Sequence, residues 1–268
     1  MLVVASPVLA EAQTQVLPGV VVQGQLRQGG LLVGQVETGY RVRLESRELL
    51  LGSAGQFIVG LGRDAEPQVT LSSVSPSGKV VSKAFPVAQR EYKVQRVDGV
   101  PSRTVNPPPE VLERIREESA QVRKARRSQS EQEDFLAGFS WPLKGTITGV
   151  YGSQRIYNGV PKNPHYGIDI AAPSGELVYA PAPGVVNLVH PDMYFSGGTL
   201  IVDHGHGLSS TFIHLSESLV SVGDVVAAGD AIARVGSTGR STGPHLDWRM
   251  NWFDVRIDPQ LVLKALPK

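Results

Sequence analysis

Between residues 16 and 98 the chain is written in short β-branched runs, each closed by turn residues. "VLPGVVVQGQL", "GGLLVGQV", "YRVRLESREL", "QFIVGLG", "PQVTLSSVS" and "KVVSKAFPV" alternate or cluster their apolar residues, with Gly, Asp-Ala or Pro-Ser-Gly between them. Strands of this length at this spacing argue for a β-sandwich over residues 13–105. None of its side chains cluster as chemistry, so binding or positioning is its expected role.

The pattern then changes. "NPPPEVLERIREESAQVRKARRSQSEQED" places three prolines before apolar residues at 111, 112, 115 and 122, among mixed charges. That is helical periodicity, with glutamates early and basic residues late to suit the helix dipole. The expectation is a helical linker over 106–138 whose narrow stripe lies on a domain surface. Alternating signs argue against a basic DNA-binding helix. From "FSWPLKGTITGVYG" the strands return, punctuated by glycine, and residues 139–268 read as a second, antiparallel β domain. The fold class is therefore mainly β: an N-terminal β-sandwich, a connecting helix and a C-terminal β domain.

A length of 268 residues leaves room for about two domains, each with its own core. Apolar residues make up 41% and charged residues 19%, which excludes wholesale disorder. Net charge is +1, and neither half is basic enough to suggest nucleic acid. There is no cysteine, so disulfides, thiolate metal ligands and a cysteine nucleophile are excluded, and any metal must be held by His and carboxylate. "MLVVASPVLAEAQTQ" ends an apolar stretch in Ala10-Glu11-Ala12, spaced like a signal-peptidase site, so residues 1–12 are read as a signal-peptide remnant and the protein as exported. No apolar run approaches the roughly 20 residues of a membrane-spanning helix, so no integral membrane segment is expected.

Two stretches carry candidate chemistry. In "PHYGIDIAAPSG", His165 and Asp169 would stand roughly 13 Å apart along a straight strand, too far to share a metal. Pro164, Gly167 and the Ile-Asp-Ile run disfavour a helix. A bend near Gly167 remains, folding His165 back beside Asp169, with Asp169 opening the strand. "TGPHLDWRM" is simpler. Along a strand His245, Asp247 and Arg249 share one face, with His245 and Asp247 about 6.6 Å apart, and Leu246, Trp248 and Met250 share the other. "TFIHL" supplies His214 on a third strand. These three histidines and two carboxylates form an oxygen and nitrogen set suited to zinc. A lone strand histidine is most often simply packed and hydrogen-bonded, and His190, His204 and His206 are read that way. Spacing alone leaves both the metal reading and ordinary packing open.

"HYGIDIAAPSG", "FIHLSE" and "GSTGRSTGPHLDWRM" resemble the lysostaphin/LytM-type zinc metallopeptidases, which cut peptide cross-links in bacterial peptidoglycan. "VYGSQRIYNG", "VYAPAPGVV" and "VGDVVAAGDAIARVG" follow in the same order, so the resemblance covers roughly residues 141–262. The last of these also resembles lipoyl and biotinyl carrier hairpins, but residues 163–263 hold no lysine to carry the cofactor. The peptidase resemblance implies that His165 and Asp169 are Zn²⁺ ligands and that His214 and His245 are the catalytic pair flanking the water and the developing oxyanion. The family pattern is His-x-His, and its second histidine is the third ligand. Here that position is Asp247, a second carboxylate that takes the charge of metal plus ligands from +1 to neutral.

The resemblance implies a zinc endopeptidase of the periplasm or cell envelope, with peptidoglycan peptides as substrate. An envelope protein partner for the N-terminal domain is a further expectation. The competing expectation is a catalytically silent relative that binds cell wall or activates an amidase.

Overall fold

The computed structural model describes residues 13–97, 107–157 and 159–268. The candidate leader, residues 1–12, and the stretch 98–106 at the expected linker boundary lie outside the described residues.

The first half contains β1 (Gln13–Leu17), β2 (Val20–Gly24), β3 (Leu31–Val36), β4 (Arg41–Leu44), β5 (Arg47–Glu48), β6 (Gln56–Gly60), β7 (Gln68–Val74), β8 (Val80–Pro86) and β9 (Val94–Val97). Helix α1 (Leu112–Arg126) follows. The second half contains β10 (Thr146–Gly149), β11 (Gln154–Tyr157), β12 (Val160–Pro161), β13 (Gly167–Ala171), β14 (Leu177–Tyr179), β15 (Gly184–Met193), β16 (Gly197–Asp203), β17 (Leu208–Ser218), β18 (Val225–Val226), β19 (Ala231–Val235), β20 (His245–Trp252) and β21 (Val255–Ile257), then helix α2 (Pro259–Ala265).

Strands β1–β8 form two four-stranded antiparallel sheets, ordered β1-β2-β3-β6 and β5-β4-β7-β8. β2 shows why. Its residues alternate buried and exposed, so one face is apolar and must be covered. Val22 and Leu32 of one sheet meet Leu71 and Phe85 of the other, the sandwich that the periodicity implies.

The second half is one large sheet, ordered β10-β13-β20-β17-β16-β15-β18, with β14, β19 and β21 attached alongside. β20 organises it. Leu246, Trp248 and Met250 are fully buried on one face, each contributing about 1.5–3 kcal/mol of apolar transfer energy. His245, Asp247 and Arg249 are thereby committed to the opposite face.

The two halves share one continuous apolar cluster. β9 pairs in parallel with β11, and a Cβ on Gly60 of β6 would collide with Trp252 of β20. Arg90 pairs with Asp258 at 2.8 Å, and Asp258 also accepts the Gln260 N–H at 3.0 Å to cap α2. No helix among the described residues is long and apolar enough to cross a membrane.

Helix α1 carries its glutamate and its basic residues at the ends expected from the dipole. Ile115 and Val122 of the expected stripe are half-buried on the face toward the sheet, and the most deeply buried side chains on that face are Glu118 and Arg126. Glu118 accepts from Arg114 at 2.6 Å and from the Tyr194 N–H at 2.8 Å. Polar groups on the sheet face beneath the helix set this choice, since a buried charge persists only where it finds partners.

His204 is packed, as read from the "DHGHG" turn. It is fully buried, 2.6 Å from the Pro183 carbonyl through Nδ1 and 2.9 Å from the Ser210 hydroxyl through Nε2. Burial lowers its pKa from 6.5 to about 4, so it folds neutral. The unfolded chain then binds the extra proton, and stability falls as pH drops from about 6.5 to about 4. Urea denaturation across that window should show the fall, and His204→Gln should flatten it.

Candidate metal centre

The site begins with a strand register. β13 and β20 are antiparallel neighbours, and Asp169 stands directly opposite Asp247. Like charges facing across a ladder repel unless a cation lies between them. Gly167 makes the approach feasible, because a Cβ there would overlap Asp247 Oδ1 and crowd Arg249.

His165 precedes β13 and is held by its backbone, its N–H donating to the Ser153 carbonyl at 2.8 Å and its carbonyl accepting from Gly152 at 2.7 Å. The bend expected near Gly167 thus exists, although the strand opens at Gly167 rather than at Asp169. It brings His165 Nε2 to 3.0 Å from Asp169 Oδ1 and 3.4 Å from Asp247 Oδ2. His165 Nε2 and Asp169 Oδ1 are both sealed from solvent, and neither makes a hydrogen bond. One ligand atom from each of the three residues lies within 4.8 Å of the others. Two buried polar atoms without a hydrogen bond and a second carboxylate, gathered within 4.8 Å, fit a divalent metal.

The other two histidines complete the constellation. His245 Nε2 lies 3.8 Å from Asp169 Oδ1, and the rings of His214 and His245 are 4.8 Å apart. His214 reaches the site through an irregularity. Ile213 pairs with Asp247 and so shares its face, which would turn His214 away in a regular strand. Between the Leu200–Phe212 and Gly198–Leu215 pairs, β17 carries one residue more than β16. His214 there adopts φ 66°, a left-handed conformation costing about 1–3 kcal/mol for a non-glycine residue. Strain of that kind persists where function or surrounding structure demands it.

All three histidines are oriented alike. Nδ1–H donates to a backbone carbonyl in each: Val150 at 3.2 Å from His165, Thr238 at 2.8 Å from His214 and Gly243 at 2.8 Å from His245. With Nδ1 so engaged, Nε2 is the nitrogen each keeps for a metal or a proton.

Charge balance is shifted by Arg249, whose Nε lies 3.0 and 3.1 Å from the two Asp247 oxygens, with Nη2 2.5 Å from Oδ2. Burial would raise the Asp247 pKa, but Arg249 and His165 hold it well below the usual carboxylate range. Burial would lower that of His165, but the two carboxylates beside it raise it to about 10. In the metal-free protein a proton on His165 thus takes the place of the cation. His214 is shifted the other way, lowered chiefly by burial. The face shared by Asp247 and Arg249 was readable from alternation; the bidentate ion pair between them was not singled out, although an i, i+2 acid–base pair on one strand face signals it.

Comparison with known proteins identifies the domain that carries this geometry. Residues 163–259 match the family described as Peptidase family M23. A Pseudomonas aeruginosa protein assigned to peptidase M23 superposes with a TM-score of 0.69 at 29% identity, covering 91% of this chain and 97% of that one. Two peptidoglycan DD-endopeptidases of Vibrio cholerae are each 39% identical: ShyA over 104 residues and ShyB over 131, or 38% and 49% of this chain. The matched stretches span only 23% and 27% of those relatives' own lengths. The fold and site define a metallopeptidase architecture. Residues 163–259 form a peptidase M23 domain within it.

Gly167→Ala should displace Asp247 from its position opposite Asp169. Zinc affinity, measured by competition with a chromophoric chelator, is expected to fall by about 10- to 100-fold while circular dichroism stays native.

Proposed function

We propose that the protein is a zinc endopeptidase of the bacterial cell envelope, hydrolysing peptide cross-links or stem peptides of peptidoglycan. The observation that carries this reading is the meeting of His165, Asp169 and Asp247 within 4.8 Å, with His245 Nε2 3.8 Å from Asp169 and the His214 ring beside it. The M23 domain and the DD-endopeptidase names of its relatives supply the substrate class. Export to the periplasm or cell envelope follows from that substrate, and the sandwich half is assigned to positioning the wall or an envelope partner. The three domains are taken as 13–105, 106–138 and 139–268.

His165, Asp169 and Asp247 would hold the zinc. Bound there, zinc supplies Lewis acidity and a water poised for attack at neutral pH. His214, kept neutral by burial, accepts the proton of the attacking water at Nε2. His245, once protonated at Nε2, donates to the developing oxyanion or to the leaving amine. Replacing a neutral ligand by Asp247 would leave the centre uncharged. Arg249 restores the +1 balance and holds both carboxylate oxygens in place, so the aspartate becomes a workable ligand.

The same ion pair supports a second reading. Asp247 already accepts from Arg249 through both oxygens. A carboxylate engaged in this way that never turned to the metal would leave a silent wall-binding or amidase-activating protein.

Two measurements separate the readings. Purified protein should carry about one zinc per chain, and its digest of peptidoglycan should release peptide fragments identifiable by mass spectrometry. His214→Ala and His245→Ala should keep the metal and lose about 10²–10⁴-fold in hydrolysis. Asp247→Ala should lose the metal, because two protein ligands rarely hold catalytic zinc. Unchanged zinc affinity in Asp247→Ala would remove Asp247 from the coordination sphere and favour the silent relative.

A further inference from the structure

Helix α1 lies across the same face of the large sheet that carries the metal centre. Arg249 is two residues beyond Asp247 on β20, and it pairs in register with Thr211 of β17. Arg126, at the end of α1, donates to the Thr211 hydroxyl at 3.2 Å. Between the helix and this face runs a cavity of about 620 Å³, open to solvent and reaching Arg249. Five guanidiniums line it, against two carboxylates. Both acids are already engaged, Glu118 by Arg114 and the Tyr194 N–H, Asp254 by Arg127. Arg249 is neutralised by Asp247.

Of the remaining three guanidiniums Arg123 is exposed to solvent, which leaves Arg126 and Arg256 within the fold without a carboxylate partner among the described residues. Arg126 is only 6% exposed, and its Nε is sealed from solvent without a hydrogen-bond partner. Among the described residues the Arg256 side chain reaches the Asn251 amide oxygen, at 3.4 Å, and the ring of Tyr166. Burial first, then nearby guanidiniums, depress both pKa values: Arg256 and Arg249 act on Arg126, and Arg249 acts on Arg256. Burying two positive charges side by side is costly unless an anion joins them. A guanidinium fork suits a carboxylate, which accepts two parallel N–H bonds.

We propose that this cavity is a binding subsite for a free carboxylate of the substrate peptide, with Arg126 and Arg256 as its donors. It lies along the face that leads away from the metal centre, so a peptide whose scissile bond sits at the zinc would extend its charged end beneath α1. The proposal rests on the peptidase reading and names a feature of the substrate that the reading leaves open, a negative charge a few residues from the cleaved bond.

The test compares a cross-linked muropeptide dimer bearing free terminal carboxylates with the same dimer amidated there. For the full-length zinc enzyme, amidation should raise KM by about 10- to 100-fold with kcat little changed, the value of a charge-assisted contact. Arg126→Met should raise KM for the acid to that of the amide, and Arg126→Lys should recover part of the difference. The acid–amide comparison on the wild type needs no variant to fold. Equal KM for acid and amide would overturn the subsite while leaving the peptidase reading intact. Calorimetric titration with a D-alanine-terminated tetrapeptide and its amide reads binding without cleavage. A preference for the acid there would support the subsite even if no dimer were hydrolysed, an outcome that would sink the peptidase reading alone. Binding of inorganic phosphate without discrimination between the two tetrapeptides would reassign the cavity and overturn the proposal.

Discussion

The pairing of β13 with β20 sets two carboxylates face to face, and the surrounding structure is organised to tolerate that repulsion. Asp169 and Asp247 are fixed by the ladder and cannot separate without breaking it. His165 is folded back by its own backbone bonds to stand between them, and Arg249 clamps one of the two from the side. A cation at that point replaces the proton that His165 otherwise keeps. The buried Leu246, Trp248 and Met250 on the opposite face lock the register, since a one-residue slip would exchange the apolar and polar faces of the whole strand.

The same polar face explains the unusual burial in α1. A helix over an apolar sheet would press an apolar stripe against it. This one lies over Thr211, Arg249 and Asn251, so beside the half-buried Ile115 and Val122 it buries Glu118 and Arg126. The sandwich half is not a loosely tethered attachment. It shares the apolar cluster, lends β9 to the β11–β12 pair and reaches Asp258 through Arg90. The wall of the candidate active face is therefore assembled from the linker helix and the second half, braced by the first.

Much of the centre was readable before the fold. The four-residue interval between His165 and Asp169 pointed to a bend, because a strand would hold them too far apart to share a metal and Pro164, Gly167 and the Ile-Asp-Ile run disfavour the helix that would join them. Alternation in "HLDWRM" put Asp247 and Arg249 on one face. His214 is the exception. Alternation from its neighbours assigns Ile213 to the face of Asp247, and only the bulge and the left-handed backbone bring His214 there. A local pattern records side-chain periodicity, but it does not record where one strand carries an extra residue relative to its partner.

By itself, the sequence determined the strands, the helix between them and the cysteine-free donor set. These follow from short-range chemistry: side-chain period, turn residues and the ligand atoms available. Tertiary structure alone decided that Asp247 faces Asp169, that Arg249 balances it, and that α1 closes a cationic cavity over the same face. Each of those depends on register and on charges brought together from distant parts of the chain, and their energies exist only once water has been excluded from between them.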